Sequence, residues 1–159
     1  MILEELGVLS TAQDLTAGAT DSENVIDLEV IPNVGYGDIW WSVICETANS
    51  GGTTDTYVFD LVVSSTESLD TLVRSVCRVA ITGSADPRIA AVERNIACME
   101  VGQQISEAAD ATYRYLGMIS TLADVNGTAA VSINAAMSPS KPRTKDNVQV
   151  IRSNVTKPS

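Results

Sequence analysis

The sequence predicts an all-β fold, an antiparallel sandwich or barrel. Three observations carry that expectation. Apolar and polar residues alternate with period two in six separate windows, and turn-forming residues fall between them. No regular helical pattern is interleaved, as parallel α/β folds require. Successive strand side chains point to opposite faces, so each alternating run describes a half-buried strand.

In chain order, the run 24–31 turns Ile26, Leu28 and Val30 to one face. The window 39–46 sets Ile39, Trp41, Val43 and Cys45 against Trp40, Ser42, Ile44 and Glu46. Residues 56–64 set Tyr57, Phe59, Leu61 and Val63 against Thr56, Asp60 and Ser64, and 76–82 turns Cys77, Val79 and Ile81 inward. Over 111–119, Ala111, Tyr113, Tyr115 and Ile119 oppose Thr112, Arg114 and Met118. Over 128–137, Ala129, Val131, Ile133, Ala135 and Met137 share a face. Asn33 to Gly37 and Asn49 to Gly52 supply residues that tolerate positive φ. Asn126-Gly127, between the last two runs, is the strongest hairpin signal in the chain. The segment 87–101 reads two ways. Asp86-Pro87, helical spacing of Ile89, Val92, Ile96 and Met99, and Gly102 as a cap suit a helix, while a loop and a short strand over 95–101 are equally open.

At 159 residues the chain has room for one ordinary domain, and 45% hydrophobic residues can fill a core. Net charge is −10, and it is sorted. Residues 1–73 hold thirteen acids and no Lys or Arg, whereas all three lysines lie within residues 141–159. From Ser138 onward five bases face one acid, and the remaining five bases face nineteen acids. The expected organisation is an N-terminal arm over 1–23, a β-sandwich over 24–137 and a basic, Pro-containing extended tail over 138–159. In the arm, Ile2, Leu3, Leu6 and Leu9 are apolar residues that want a partner. In the tail, Lys141, Arg143, Lys145 and Arg152 suit an acidic neighbour. Trp40 and Trp41 must face opposite sides, so an outward Trp40 is a candidate contact, or lies on a face covered by the second sheet or by the N-terminal segment.

Function classes fall away on composition. An acidic chain lacks the basic face that nucleic acid needs. No apolar run is long enough to span a membrane. Histidine is absent, removing the usual triads, general acids and metal ligands. Cys45, Cys77 and Cys98 are widely spaced and read as reduced core thiols. No phosphate-binding or nucleophile motif occurs. No catalytic residue, cofactor or metal is expected, and no enzyme.

The opening Met1-Ile2-Leu3-Glu4-Glu5-Leu6-Gly7-Val8-Leu9-Ser10-Thr11-Ala12-Gln13, followed by Asn24-Val25-Ile26-Asp27-Leu28, resembles the start of the Bbp16-like capsid cement, or decoration, proteins of tailed bacteriophages. Tyr113-Arg114-Tyr115-Leu116-Gly117-Met118 resembles a strand of the same family, and the tail from Ser138 extends beyond its usual end. The resemblance runs over 1–28 and again over 110–137. It implies a jelly-roll-like β-sandwich on the outside of a phage head, forming a homo-oligomer, a dimer before a trimer, and binding the major capsid protein. It also favours a strand over 95–101. It carries over no catalytic or cofactor residue. The implied role is a virion structural protein, made in the host bacterial cytoplasm, that bridges capsid subunits and stabilises the expanded shell. The expected contacts are Ile2, Leu3, Leu6, Leu9, Trp40, Lys141, Arg143, Lys145 and Arg152. Two other roles stay open: a head-completion or tail component, and a carbohydrate-binding adhesion module.

Overall fold

A computed structural model describes residues 7–29, 39–49, 54–83, 94–123, 130–139 and 141. Among the described residues, nine strands and one short helix form an all-β antiparallel sandwich. The strands are β1 (Val8–Leu15), β2 (Gly18–Asp21), β3 (Ile26–Asp27), β4 (Trp40–Asn49), β5 (Thr56–Ser64), β6 (Arg74–Thr82), β7 (Arg94–Glu100), β8 (Tyr115–Ala123) and β9 (Ala130–Ser138). Helix α1 is Gly102–Ala108. One sheet has the order β1-β9-β4-β7 and the other β2-β8-β5-β6, with β3 also pairing β8.

The core follows the alternation. Ile39, Trp41, Val43 and Cys45 project from one sheet, and Tyr57, Phe59, Leu61 and Val63 from the other, all buried in a single cluster with Val131, Ile133, Ala135 and Met137. Burying a large apolar side chain is worth about 1.5–3 kcal/mol, so these three strands form the main apolar contact between the sheets.

Several expectations change. Residues 8–21 are not an arm: β1 and β2 are built into the two sheets, and Leu9 and Leu15 belong to the core. Their polar neighbours hide this from a composition reading, because β1 is irregular. It slips register twice against β9, and Ala12 takes φ 49 in the bulge. The Asn126-Gly127 signal does not join a hairpin. Residues 126–127 lie outside the described residues, but the flanking strands β8 and β9 sit in different sheets. A turn residue reports that the chain reverses, not which strand it pairs with. Among the described strands only β5 and β6 are consecutive and paired.

The phase of 111–119 is also reversed. Leu116 and Met118 are fully buried, while Tyr113, Tyr115 and Ile119 are half-buried. A single-residue shift sends every side chain to the other face. Over 94–100 the strand reading holds, and Gly102 opens α1 instead of ending a helix. Residues 84–93, Val30, Ala129, and the turns at 33–37 and 50–52 lie outside the described residues.

Candidate functional site

Two surface features gather the remaining polar and aromatic chemistry. The first lies on the outer face of the β1-β9-β4-β7 sheet. Trp41 fills the core, so the next residue back along β4, Trp40, faces outward and is half-buried. Lys141 Nζ stands 5.5 Å from its ring centroid, a cation–π distance. Lys141 follows β9, which pairs with β4 through Trp40↔Ser138. Lys141 therefore places a basic group on the indole at this face.

The second feature is one end of the other sheet. The stretch between α1 and β8 brings Tyr113, Arg114 and Tyr115 beside β3. Arg114 Nε donates to Asp27 Oδ1 at 2.7 Å, and the same guanidinium pairs with Asp27 Oδ2 and with Glu29. It also lies over the Tyr115 ring. The Asp27 hydrogen bond holds the guanidinium firmly in its charged form. Arg74, opening β6, stacks at 3.9 Å on Tyr113 and donates to the Ala108 carbonyl at the end of α1. Asp110 accepts the N–H groups of Thr112 and Tyr113, which lower its pKa, with Arg74 adding to the effect. Leu28, Glu29, Ala109, Asp110, Ala111 and Arg114 line an open cleft of about 430 Å³.

This arrangement is a clamp. Each arginine meets a carboxylate, so neither offers a free cation to an anion, and the hydrogen bonds that Asp110 accepts favour its charged form. The thiols fit the same picture. Burial raises the pKa of Cys45 and of Cys77, which disfavours the thiolate a nucleophile needs. Among the described residues no group of three or more Cys, Asp and Glu is placed to hold a metal ion, and no helix is long and apolar enough to cross a membrane.

The sequence-expected contacts separate. Trp40 and Lys141 come together on one face. Leu9 is fully buried, because β1 pairs with β9 and turns it into the core, and so it presents no side chain to a partner. Ile2, Leu3, Leu6, Arg143, Lys145 and Arg152 lie outside the described residues. Sequence reading missed Arg74, Arg114 and Tyr113. The Tyr-Arg-Tyr run at 113–115 was the available signal, since flanking rings suit a stacked guanidinium. It also missed Leu72 and Val73, exposed at 58% and 42% in the loop before β6.

The chain matches no family model and no curated protein.

Proposed function

We propose that this chain is a structural component of a tailed-phage virion, a decoration or cement protein that binds the outer surface of the head and bridges capsid subunits. Its partners on this reading are the major capsid protein and further copies of itself. The observation that carries the reading is the strand order. With β3 set aside, the eight remaining strands run first-eighth-third-sixth over second-seventh-fourth-fifth. That order supports the jelly-roll wrapping that the sequence resemblance implies. The sandwich buries its sheet faces and leaves edges, loops and terminal segments for docking. Binding only to the expanded shell stabilises that state by mass action, summed over many weak and identical contacts.

The clamp at Arg114 supports a scaffold role over catalysis, since its charges are spent on one another. The aromatic residues support it over sugar binding: Trp41, Tyr57 and Phe59 are in the core, and Tyr113, Tyr115 and Trp40 each have a cationic side chain over the ring. The test is the copy number of this chain in purified particles, measured against the major capsid protein by quantitative mass spectrometry. A ratio near one or one-half per capsid subunit is expected. A handful of copies per particle makes it a head-completion or tail component, and absence from the particle ends the proposal.

A further inference from the structure

Among the described residues, the large hydrophobic side chains open to solvent are Leu72 and Val73, in the loop that joins β5 to β6. A single exposed leucine is ordinary. These two are adjacent, and the backbone beneath them is strained. Leu72 has φ 46, a left-handed conformation that a bulky side chain adopts only at a cost. Leu69, at φ 52 in the same loop, offsets that cost by burying its side chain over Gly117. Leu72 offsets nothing, because its side chain stands in water.

The loop is nonetheless closely held. The Thr71 carbonyl, directly before Leu72, accepts hydrogen bonds from the Ser64 and Ser65 hydroxyls at 2.8 and 3.0 Å and from the Ser65 N–H at 3.2 Å. The Asp70 carboxylate accepts from the Thr66 and Thr71 hydroxyls, and the Leu69 N–H donates to the Thr66 carbonyl. Just past Val73, Arg74 ties the start of β6 to the end of α1 through the Ala108 carbonyl and stacks on Tyr113. A plain connection between two strands does not need a leucine here, since glycine or asparagine takes a left-handed position with little strain. Strain that persists at an exposed and well-fixed position is the mark of a contact site. Fixing the loop in advance also lowers the entropy lost when a partner binds it.

Charge selects the partner. Glu67 and Asp70 are exposed in the same loop, and Glu107 is exposed on α1, which packs against β6. None of the three makes an ion pair among the described residues. Hydrogen bonds from Ser68, Thr71 and Thr66 lower the pKa of Asp70, so it stays charged. Arg74 beside them is engaged with Tyr113 and Asp110. A second copy is therefore a poor partner. Two such loops would set acids against acids, and the open cleft at Leu28, Ala109 and Ala111 is rimmed by Glu29 and Asp110, which repel them too. We propose that Leu72 and Val73 form a preformed apolar prong that inserts into an apolar pocket rimmed by Lys or Arg on a different protein. Which protein carries the pocket rests on the reading above, which makes it the capsid shell.

The test adds the full chain to purified phage heads that lack it and measures the bound fraction by co-sedimentation, after recording the thermal midpoint of each variant. L72N/V73T keeps the turn and the shape of the loop while removing its apolar surface. It should stay folded and bind on the order of 100-fold more weakly. L72M keeps the apolar surface and should bind nearly as well as the wild type. E67K should weaken binding at low salt, with the difference from wild type closing as salt rises. Failure of the wild type to bind the heads overturns the virion reading, and the prong's partner with it. Wild-type binding that L72N/V73T leaves unchanged overturns the inference alone, and the virion reading stands. Tighter binding by E67K overturns the basic rim. If L72N/V73T instead lowers the mass of the protein in solution by light scattering and leaves head binding intact, the prong joins copies of this chain and the inference fails.

Discussion

Leu69 and Gly117 are fitted to each other. Leu69 sits at φ 52 in the loop before β6, and its side chain caps β8 where a Cβ on Gly117 would stand 2.5 Å from Leu69 Cδ1. Gly117→Ala is therefore expected to cost about 1–3 kcal/mol by overpacking. Denaturant titration of that variant against the Leu69→Ala/Gly117→Ala pair should show non-additivity, because the shortened side chain relieves the clash. Leu72 is also left-handed, at φ 46, but its side chain is in solvent. A left-handed leucine costs roughly 1–2 kcal/mol that burial does not offset here. Leu72→Asn should hold or slightly raise the thermal midpoint, and a clear loss would mean that Leu72 packs where the fold depends on it. Asp110 provides the acid response. Its folded pKa lies below its unfolded value because the Thr112 and Tyr113 N–H groups prefer the carboxylate. The resulting stability is present above the unfolded pKa, about 3.9, and is lost as pH falls through the folded value. The protection of the Thr112 and Tyr113 amides, measured against the intrinsic exchange rate at each pH, should fall on acidification through that window, and much less so in Asp110→Asn.

At the scale of elements, the sequence was most legible where a strand buries one face and exposes the other. β4, β5 and β9 were readable in position and phase, since their inward residues are uniformly apolar. β1 was not, because its bulge interrupts the alternation that would have shown Leu9 and Leu15 on one face. Leu9→Ala is expected to cost about 2–5 kcal/mol in a urea titration, as a core truncation does. An unchanged midpoint would return Leu9 to an arm. β8 misled in phase, since both of its faces are covered along part of its length: Leu116 and Met118 by the core, and Gly117 by Leu69. Neighbouring β5 shares this, with Val62 and Ser64 buried beside Leu61 and Val63. Of the candidate site, Trp40 was legible because its neighbour had to be core. The Arg114 clamp was not, since Asp27 and Arg114 are 87 residues apart and meet only when β3 pairs with β8. Leu28 N–H donates to the Arg114 carbonyl in the same contact. Arg114→Ala should therefore speed hydrogen exchange at Leu28 while leaving the β5 amides protected.

For the whole molecule, one hydrophobic cluster spans both sheets, and strands adjacent in sequence mostly lie in different sheets. Neither sheet can bury its inner face without the other, so unfolding should be a single cooperative transition. Probes in the two sheets, intrinsic Trp41 fluorescence on one side and amide exchange of β5 on the other, should report the same free energy.

By itself the sequence determined the all-β class, the inward faces of the central strands and the sorting of charge, because each is written in residues close together along the chain. Alternation needs only the pleat, and burial of one face follows from the cost of leaving apolar surface in water. Strand order, the incorporation of residues 8–21 into the sheets and the Arg114 clamp were decided by the tertiary structure. Each depends on which distant strands become neighbours, and that choice is made by fitting two inner faces around one core, not by any local preference of the chain.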